Sequence, residues 1–201
     1  MTILERIHEN AITNPDRYAY ITELYDTSGD VIEQKLTWRE LELYSSRLAG
    51  YIESACPSKK PVIVYGHKNP LMLVSMLACV KSGRAYCPVD VSVPDSRVKS
   101  IIDVVEPDLV VATESLLTID EKYPVLEKTK IEFIVNNEAL TVDSCSFVKD
   151  GDIFYIIFTS GSTGVPKGVQ ITRECLDNFI KWIVKTTEAY INKKKGGGIQ
   201  S

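Results

Sequence analysis

Residues 159–168 read Thr159-Ser160-Gly161-Ser162-Thr163-Gly164-Val165-Pro166-Lys167-Gly168 and directly follow the apolar run Ile153 to Phe158. Hydroxyls, glycines and one cation are concentrated in this stretch. Glycines let successive backbone N–H groups turn toward a single anion, the hydroxyls add donors, and Lys167 adds positive charge. Such a composition suits a polyphosphate, which makes a nucleotide the natural candidate ligand.

Spacing excludes the commonest phosphate loops. A Walker A loop needs glycine immediately before its lysine and Ser or Thr after it, whereas Pro166 and Gly168 flank Lys167. The G-x-G-x-x-G dinucleotide fingerprint is absent, and the segment leads into a strand rather than a helix. Kinase-type loops fail on the same glycine spacing. On composition alone, a surface loop joining two strands and holding nothing is an equally good account.

The elements that must position this loop follow from the apolar pattern. Thr2 and Glu5 make a capping box for a first helix through Leu4, Ile7 and Ala11, which stops near Asn14 and Pro15. Ala19 to Thr22 and Val31 to Leu36 flank the turn-rich Asp26 to Asp30 and predict a hairpin. A second capping box, Thr37 and Glu40, opens a helix striped with Leu41, Tyr44, Leu48 and Ile52. Val62 to Tyr65, Ala85 to Val89 and Leu109 to Ala112 read as strands, separated by helices that begin at Asn69-Pro70 and Pro94-Asp95-Ser96. Ile131 to Val135, Ile153 to Phe158 and Val169 to Ile171 are read as further strands, and Thr172 as the cap of a helix carrying Leu176, Phe179, Ile180 and Ile183. Alternation of strand and helix predicts an α/β fold, layered, with a mostly parallel sheet and flanking helices. Beyond Tyr190 the pattern dissolves, and residues 191–201 are expected to be a flexible tail.

Composition narrows the function classes. The chain has 201 residues, 44% of them apolar, and a formal net charge of -4 with acids and bases interleaved. That balance argues against a nucleic-acid surface. No apolar run approaches the roughly 20 residues of a membrane helix, and the acidic start is not a signal peptide, so a cytoplasmic location without membrane insertion is expected. Cys56, Cys79, Cys87, Cys145 and Cys175 lack metal-ligand spacing and are read as reduced thiols, mostly in the core; no protein metal site is expected. His8 and His67 are the only histidines, and neither sits in a pattern that pairs it with a nucleophile. Asp90 reads as a turn former or cap at a strand end, and Tyr86 and Cys87 as packing residues.

The order of residues from Thr159 to Gly168 resembles the phosphate loop of acyl- and aminoacyl-adenylate-forming enzymes, the AMP-binding superfamily. Leu36-Thr37-Trp38-Arg39-Glu40-Leu41 and Lys81-Ser82-Gly83-Arg84-Ala85-Tyr86-Cys87-Pro88-Val89-Asp90 resemble its two earlier motifs, in order. Val64-Tyr65-Gly66-His67, Gly168 to Thr172 and Phe179-Ile180-Lys181-Trp182 look most like the branch of D-alanine ligases that load a carrier protein. Arg173 departs from the His common in the wider superfamily.

That resemblance implies residues 1–190 as the amino-terminal part of an adenylation domain. It implies ATP and Mg2+ as cofactors, and D-alanine and a phosphopantetheine-bearing D-alanyl carrier protein as partners. The implied reaction makes D-alanyl-AMP and pyrophosphate, then a thioester, for teichoic acid D-alanylation. Thr159, Ser160, Ser162, Thr163 and Lys167 would hold the β- and γ-phosphates, Gly161, Gly164 and Gly168 would allow close backbone approach, and Lys167 would act electrostatically. The resemblance also implies that the parts binding adenine, ribose and amino acid lie downstream, so these residues are expected to be inactive alone and to self-associate through uncovered apolar surface. Lys193 to Gly198 fits a reading-frame slip, a deliberate truncation or a natural tail. A non-catalytic remnant or phosphate-binding module, and an adenylation domain of a nonribosomal peptide synthetase or an acyl-CoA synthetase, stand as alternatives.

Overall fold

The computed structural model describes residues 1–25, 28–116, 119–137, 146–159 and 166–196. Helix α1 (Ile3–Thr13) and helix α2 (Trp38–Ala55) both begin at the expected capping boxes. In each, the threonine Oγ1 accepts from the backbone N–H three residues on, and the glutamate carboxylate accepts from the threonine N–H. Between them, β1 (Tyr18–Tyr25) and β2 (Val31–Thr37) form the antiparallel hairpin, a separate sheet of two strands.

The main sheet is built from β3 (Val62–Gly66), β4 (Tyr86–Asp90), β5 (Val110–Ala112), β6 (Val125–Glu127), β7 (Ile153–Thr159) and β8 (Lys167–Thr172). Their spatial order is β6-β5-β3-β4-β7-β8, parallel throughout except for the last pair. Helices α3 (Pro70–Lys81) and α4 (Asp95–Val105) connect β3 to β4 and β4 to β5. Alternate residues of β3 serve opposite faces. Val62 and Val64 pack with Met72, Val74 and Leu77 of α3, while Ile63 and Tyr65 pack with Val98, Ile101 and Ile102 of α4. The sheet is therefore covered on both sides, as parallel sheets require.

One strand assignment is corrected. Ile131 to Val135, expected as a strand, lies in helix α5 (Lys128–Val135). Its buried residues Ile131, Ile134 and Val135 follow helical spacing and leave Phe133 exposed. Burial of that stripe against α2 outweighs the β-branched propensity. A second difference concerns the end of the chain. Helix α6 (Arg173–Gly196) passes Tyr190, where the sequence pattern was expected to dissolve, because no breaker intervenes before Gly196 and lysines are good helix formers. Among the described residues, no helix is long and apolar enough to cross a membrane.

The two earlier motifs serve architecture. Residues 36–41 hold the second capping box, and residues 81–90 hold a buried Lys81 and Arg84 around Gly83, which ends α3 at a φ of +74°. Lys81 Nζ meets Glu42 Oε2 at 2.9 Å and Ser46 Oγ at 3.0 Å. Burial pushes its ammonium below the ordinary lysine range, and the Glu42 charge opposes that shift. The Arg84 guanidinium donates to the carbonyls of Cys56, Ser58 and Ser82, closing the loop ahead of β3.

Candidate functional site

Strand β7 ends at Thr159 and β8 begins at Lys167, and these two residues face each other in the antiparallel register. The glycine- and hydroxyl-rich segment is thus the connection of a hairpin at the sheet. Ser160, Gly161, Ser162, Thr163 and Gly164 lie outside the described residues. Thr159 and Lys167, at its two roots, are both exposed. Gly168 pairs with Phe158, and a Cβ there would stand 3.0 Å from Ile156 Cγ2 and 3.2 Å from the Phe158 ring. Gly168 therefore lets the β7 side chains close over β8, a packing role that the sequence alone does not reveal.

The loop leaves the sheet at its carboxyl edge. Tyr86 of β4 pairs in parallel with Tyr155 of β7, so four residues further along each strand bring Asp90 and Thr159 to the same edge. Gly66 pairs with Asp90, which puts the residues after β3 there as well. Ligands of open parallel sheets bind outside this edge.

Side chains from three successive strand ends are joined at that edge. His67 Nδ1 lies 2.7 Å from Asp90 Oδ2. Asn69 caps α3 by accepting from Met72 N–H, and its amide donates to Thr113 Oγ1 at 3.0 Å and Glu114 Oε1 at 2.9 Å. Lys68, between His67 and Asn69, adopts a φ of +36°, and its carbonyl accepts from the Tyr20 hydroxyl. Desolvation works against ionisation of Asp90, yet hydrogen bonds from His67 and from the Ser92 N–H prevail and hold its carboxyl at about 2. The sequence reading of Asp90 as a turn former holds for its contact with Ser92, but the pairing with His67 was missed. Its signal was present, since each residue closes a strand and neighbouring parallel strands bring their carboxyl ends together.

Cys87 is buried, and burial pushes its thiol up to about 12. Cys56 and Cys79 are buried, Cys175 is exposed, and Cys145 lies outside the described residues. Tyr86 packs edge-on against Phe154. His8 is exposed and meets Glu42 at 3.2 Å. Arg173 is tied to Asp150 ahead of β7. Clefts of about 780 Å³ beside Leu4, Glu42 and Arg173 and of about 640 Å³ beside Lys59, Gly83 and Asp152 lie at the opposite edge of the sheet from the loop. Among the described residues, no three His, Cys, Asp or Glu side chains gather as a metal site.

A parallel sheet covered on both faces, with the hydroxyl- and glycine-rich segment joining two strands at its carboxyl edge, defines the class as an α/β protein. The sequence matches the AMP-binding enzyme family over residues 7–194, and the chain belongs to that family. It is 40% identical over 201 aligned positions to a D-alanine--D-alanyl carrier protein ligase of Bacillus licheniformis, and 36% identical over 200 to one of Bacillus cereus strain G9842. Each match covers 96% of this chain and 38% of the relative, so the chain spans well under half the length of these ligases. Among solved structures, the amino-terminal subdomain of Klebsiella oxytoca NpsA superposes with a TM-score of 0.68 at 25% identity, covering 86% of this chain and 42% of that one. The nonribosomal peptide synthetase FmoA3 superposes with a TM-score of 0.70 over 90% of this chain and 19% of that one; at 20% identity it shows the fold alone.

Proposed function

We propose that this chain is the phosphate-binding part of an ATP-dependent ligase that activates D-alanine as D-alanyl-AMP and passes it to the phosphopantetheine thiol of a D-alanyl carrier protein. The observation that carries this reading is the 40% identity to the Bacillus licheniformis ligase along 96% of the chain. The position of the hairpin loop supports it. The carboxyl edge of the sheet is where a nucleotide would sit, and Lys167 stands exposed at the root of the loop.

In this reading, Thr159, Ser160, Ser162, Thr163 and Lys167 surround the β- and γ-phosphates of ATP, with Gly161 and Gly164 admitting the backbone. The carboxylate of D-alanine attacks the α-phosphorus, the bond to the β-phosphate oxygen breaks, and pyrophosphate departs. Charge grows on that leaving group, and the fixed donors with Lys167 stabilise it. The thiol then displaces AMP from the acyl carbon. A cytoplasmic location, use of Mg2+ and a contribution to teichoic acid D-alanylation belong to the same proposal. Residues 1–201 alone are expected to lack activity, since a lone phosphate loop does not make an adenine or amino-acid pocket.

A hybrid tests it: this chain replaces the matching segment of the Bacillus licheniformis ligase, and ATP–pyrophosphate exchange is followed with single amino acids. D-alanine-dependent exchange is the expected result. Exchange driven by an L-amino acid or a fatty acid instead would move the chain to another branch of the family.

A further inference from the structure

The parallel sheet has a point where the direction of winding reverses. The connection leaving β3 runs through α3 on one face, and the connection leaving β4 runs through α4 on the other. Neighbouring strands whose connections part in this way leave a crevice at their carboxyl ends, the usual ligand position in open α/β sheets. The residues at that crevice are His67, directly after β3, and Asp90, the last residue of β4.

The state of the imidazole follows from its partner. Asp90 is ionised at neutral pH and so can only accept. At 2.7 Å from Asp90 Oδ2, His67 Nδ1 therefore carries the proton, and in the neutral ring Nε2 carries the lone pair. The His67 side chain is 43% exposed, so that nitrogen can be reached. The turn that bears His67 is fixed by Lys68 at positive φ and by the Asn69 cap, bonded to Thr113 and Glu114. A carboxylate-oriented imidazole with an accessible basic nitrogen is a general-base arrangement.

We infer that His67 is the proton acceptor for the nucleophile of the second half-reaction, with Asp90 as its positioning residue. This rests on the reading under Proposed function. The thiol S–H proton passes to His67 Nε2 as sulfur forms its bond to the acyl carbon. The bond from that carbon to the AMP oxygen breaks, AMP leaves with the electron pair, and the imidazolium later returns its proton to water. The loop that would hold the phosphates roots at the same edge, one strand beyond Asp90. Lys68 and the Asn69 partner Glu114 carry charge on the turns next to the pair, and Asp95 and Glu114 act with Asp90 on the neighbouring Tyr65 hydroxyl.

Two measurements test it. The first uses the chain itself, whose only histidines are His8 and His67, so that nitrogen-15 spectra of the imidazoles resolve both. Below full protonation, His67 should show the Nδ1–H tautomer, and Asp90→Asn should abolish that preference; an Nε2–H tautomer overturns the assignment. The second uses the hybrid ligase with pantetheine as the acceptor thiol. His67→Ala should slow thioester formation roughly 100-fold more than it slows D-alanine-dependent exchange. His67→Gln should not rescue it. Equal losses in exchange and transfer, or no loss in transfer, overturn the inference while the proposed function stands. Absence of D-alanine exchange in the unmutated hybrid is instead a failure of the proposed function.

Discussion

A methyl group on Gly66 would overlap Oγ1 of Thr113. Thr113 cannot easily retreat, because it is buried, its hydroxyl donates to the Tyr65 carbonyl, and it accepts from the Asn69 amide. Absence of a side chain at position 66 therefore lets the ends of β3 and β5 close over the cap of α3. Gly66→Ala is expected to lower unfolding free energy by about 1–3 kcal/mol, the usual range for overpacking, as measured by urea titration. A midpoint equal to that of the parent would show that Thr113 moves aside freely.

Lys167 faces Thr159 across the mouth of the hairpin and is exposed, so its removal should spare the fold and cost function. In the hybrid ligase, Lys167→Ala should slow pyrophosphate exchange roughly 100-fold, the scale of losing one charge-stabilising donor. Its binding of D-alanine should change little, since the partner is a phosphate. Unchanged exchange would remove Lys167 from the role assigned to it.

Much of this was legible in the sequence, and the exceptions share a cause. The capping boxes at Thr2 and Thr37, the cap at Asn69 and the stop at Gly83 are local, and the structure places each where the residues indicate. Ile131 to Val135 misled because a short run with two isoleucines and a valine fits a buried strand as well as a helix, and only contact with α2 decides. Val125 to Glu127 was passed over because three residues carry no period. The His67–Asp90 pair joins positions 23 residues apart and exists only because β3 and β4 are parallel neighbours. The Thr159–Lys167 hairpin was legible as a loop between strands, whereas the packing need for Gly168 depends on the ring of Phe158 across the ladder.

The carboxylate of Asp90 makes a prediction about acid. Its folded value is about 2 against an ordinary 3.8, so its bonds to His67 and Ser92 contribute stability that is fully present above 3.8 and lost as pH falls through about 2. With 39% of its side chain exposed, solvent screening holds the contribution to no more than about 1 kcal/mol. Asp90→Asn is therefore expected to flatten the dependence of the urea midpoint on pH across that window. It should also leave the parent and variant closest at the acid end. Parallel curves would mean that the carboxyl titrates alike in folded and unfolded chains.

Helix α6 presents Phe179, Trp182 and Ile183 on one face, 55%, 62% and 41% exposed, with Cys175 and Tyr190 at the same helical spacing. The rings of Phe179 and Trp182 stack with centroids 6.1 Å apart, so the surface is continuous rather than scattered. Beside it, β8 is the last strand of the sheet and exposes Val169, with Ile157 exposed on the neighbouring strand. Covering each such side chain is worth roughly 1.5–3 kcal/mol, enough in combination to offset the cost of association at micromolar protein. The 201-residue chain is expected to sediment as concentration-dependent oligomers. Phe179→Lys with Trp182→Lys should shift it toward monomer without lowering its unfolding midpoint, because neither ring belongs to the core. A sharp monomer boundary for the unmutated chain at all concentrations would mean that this face is tolerated in water as it stands.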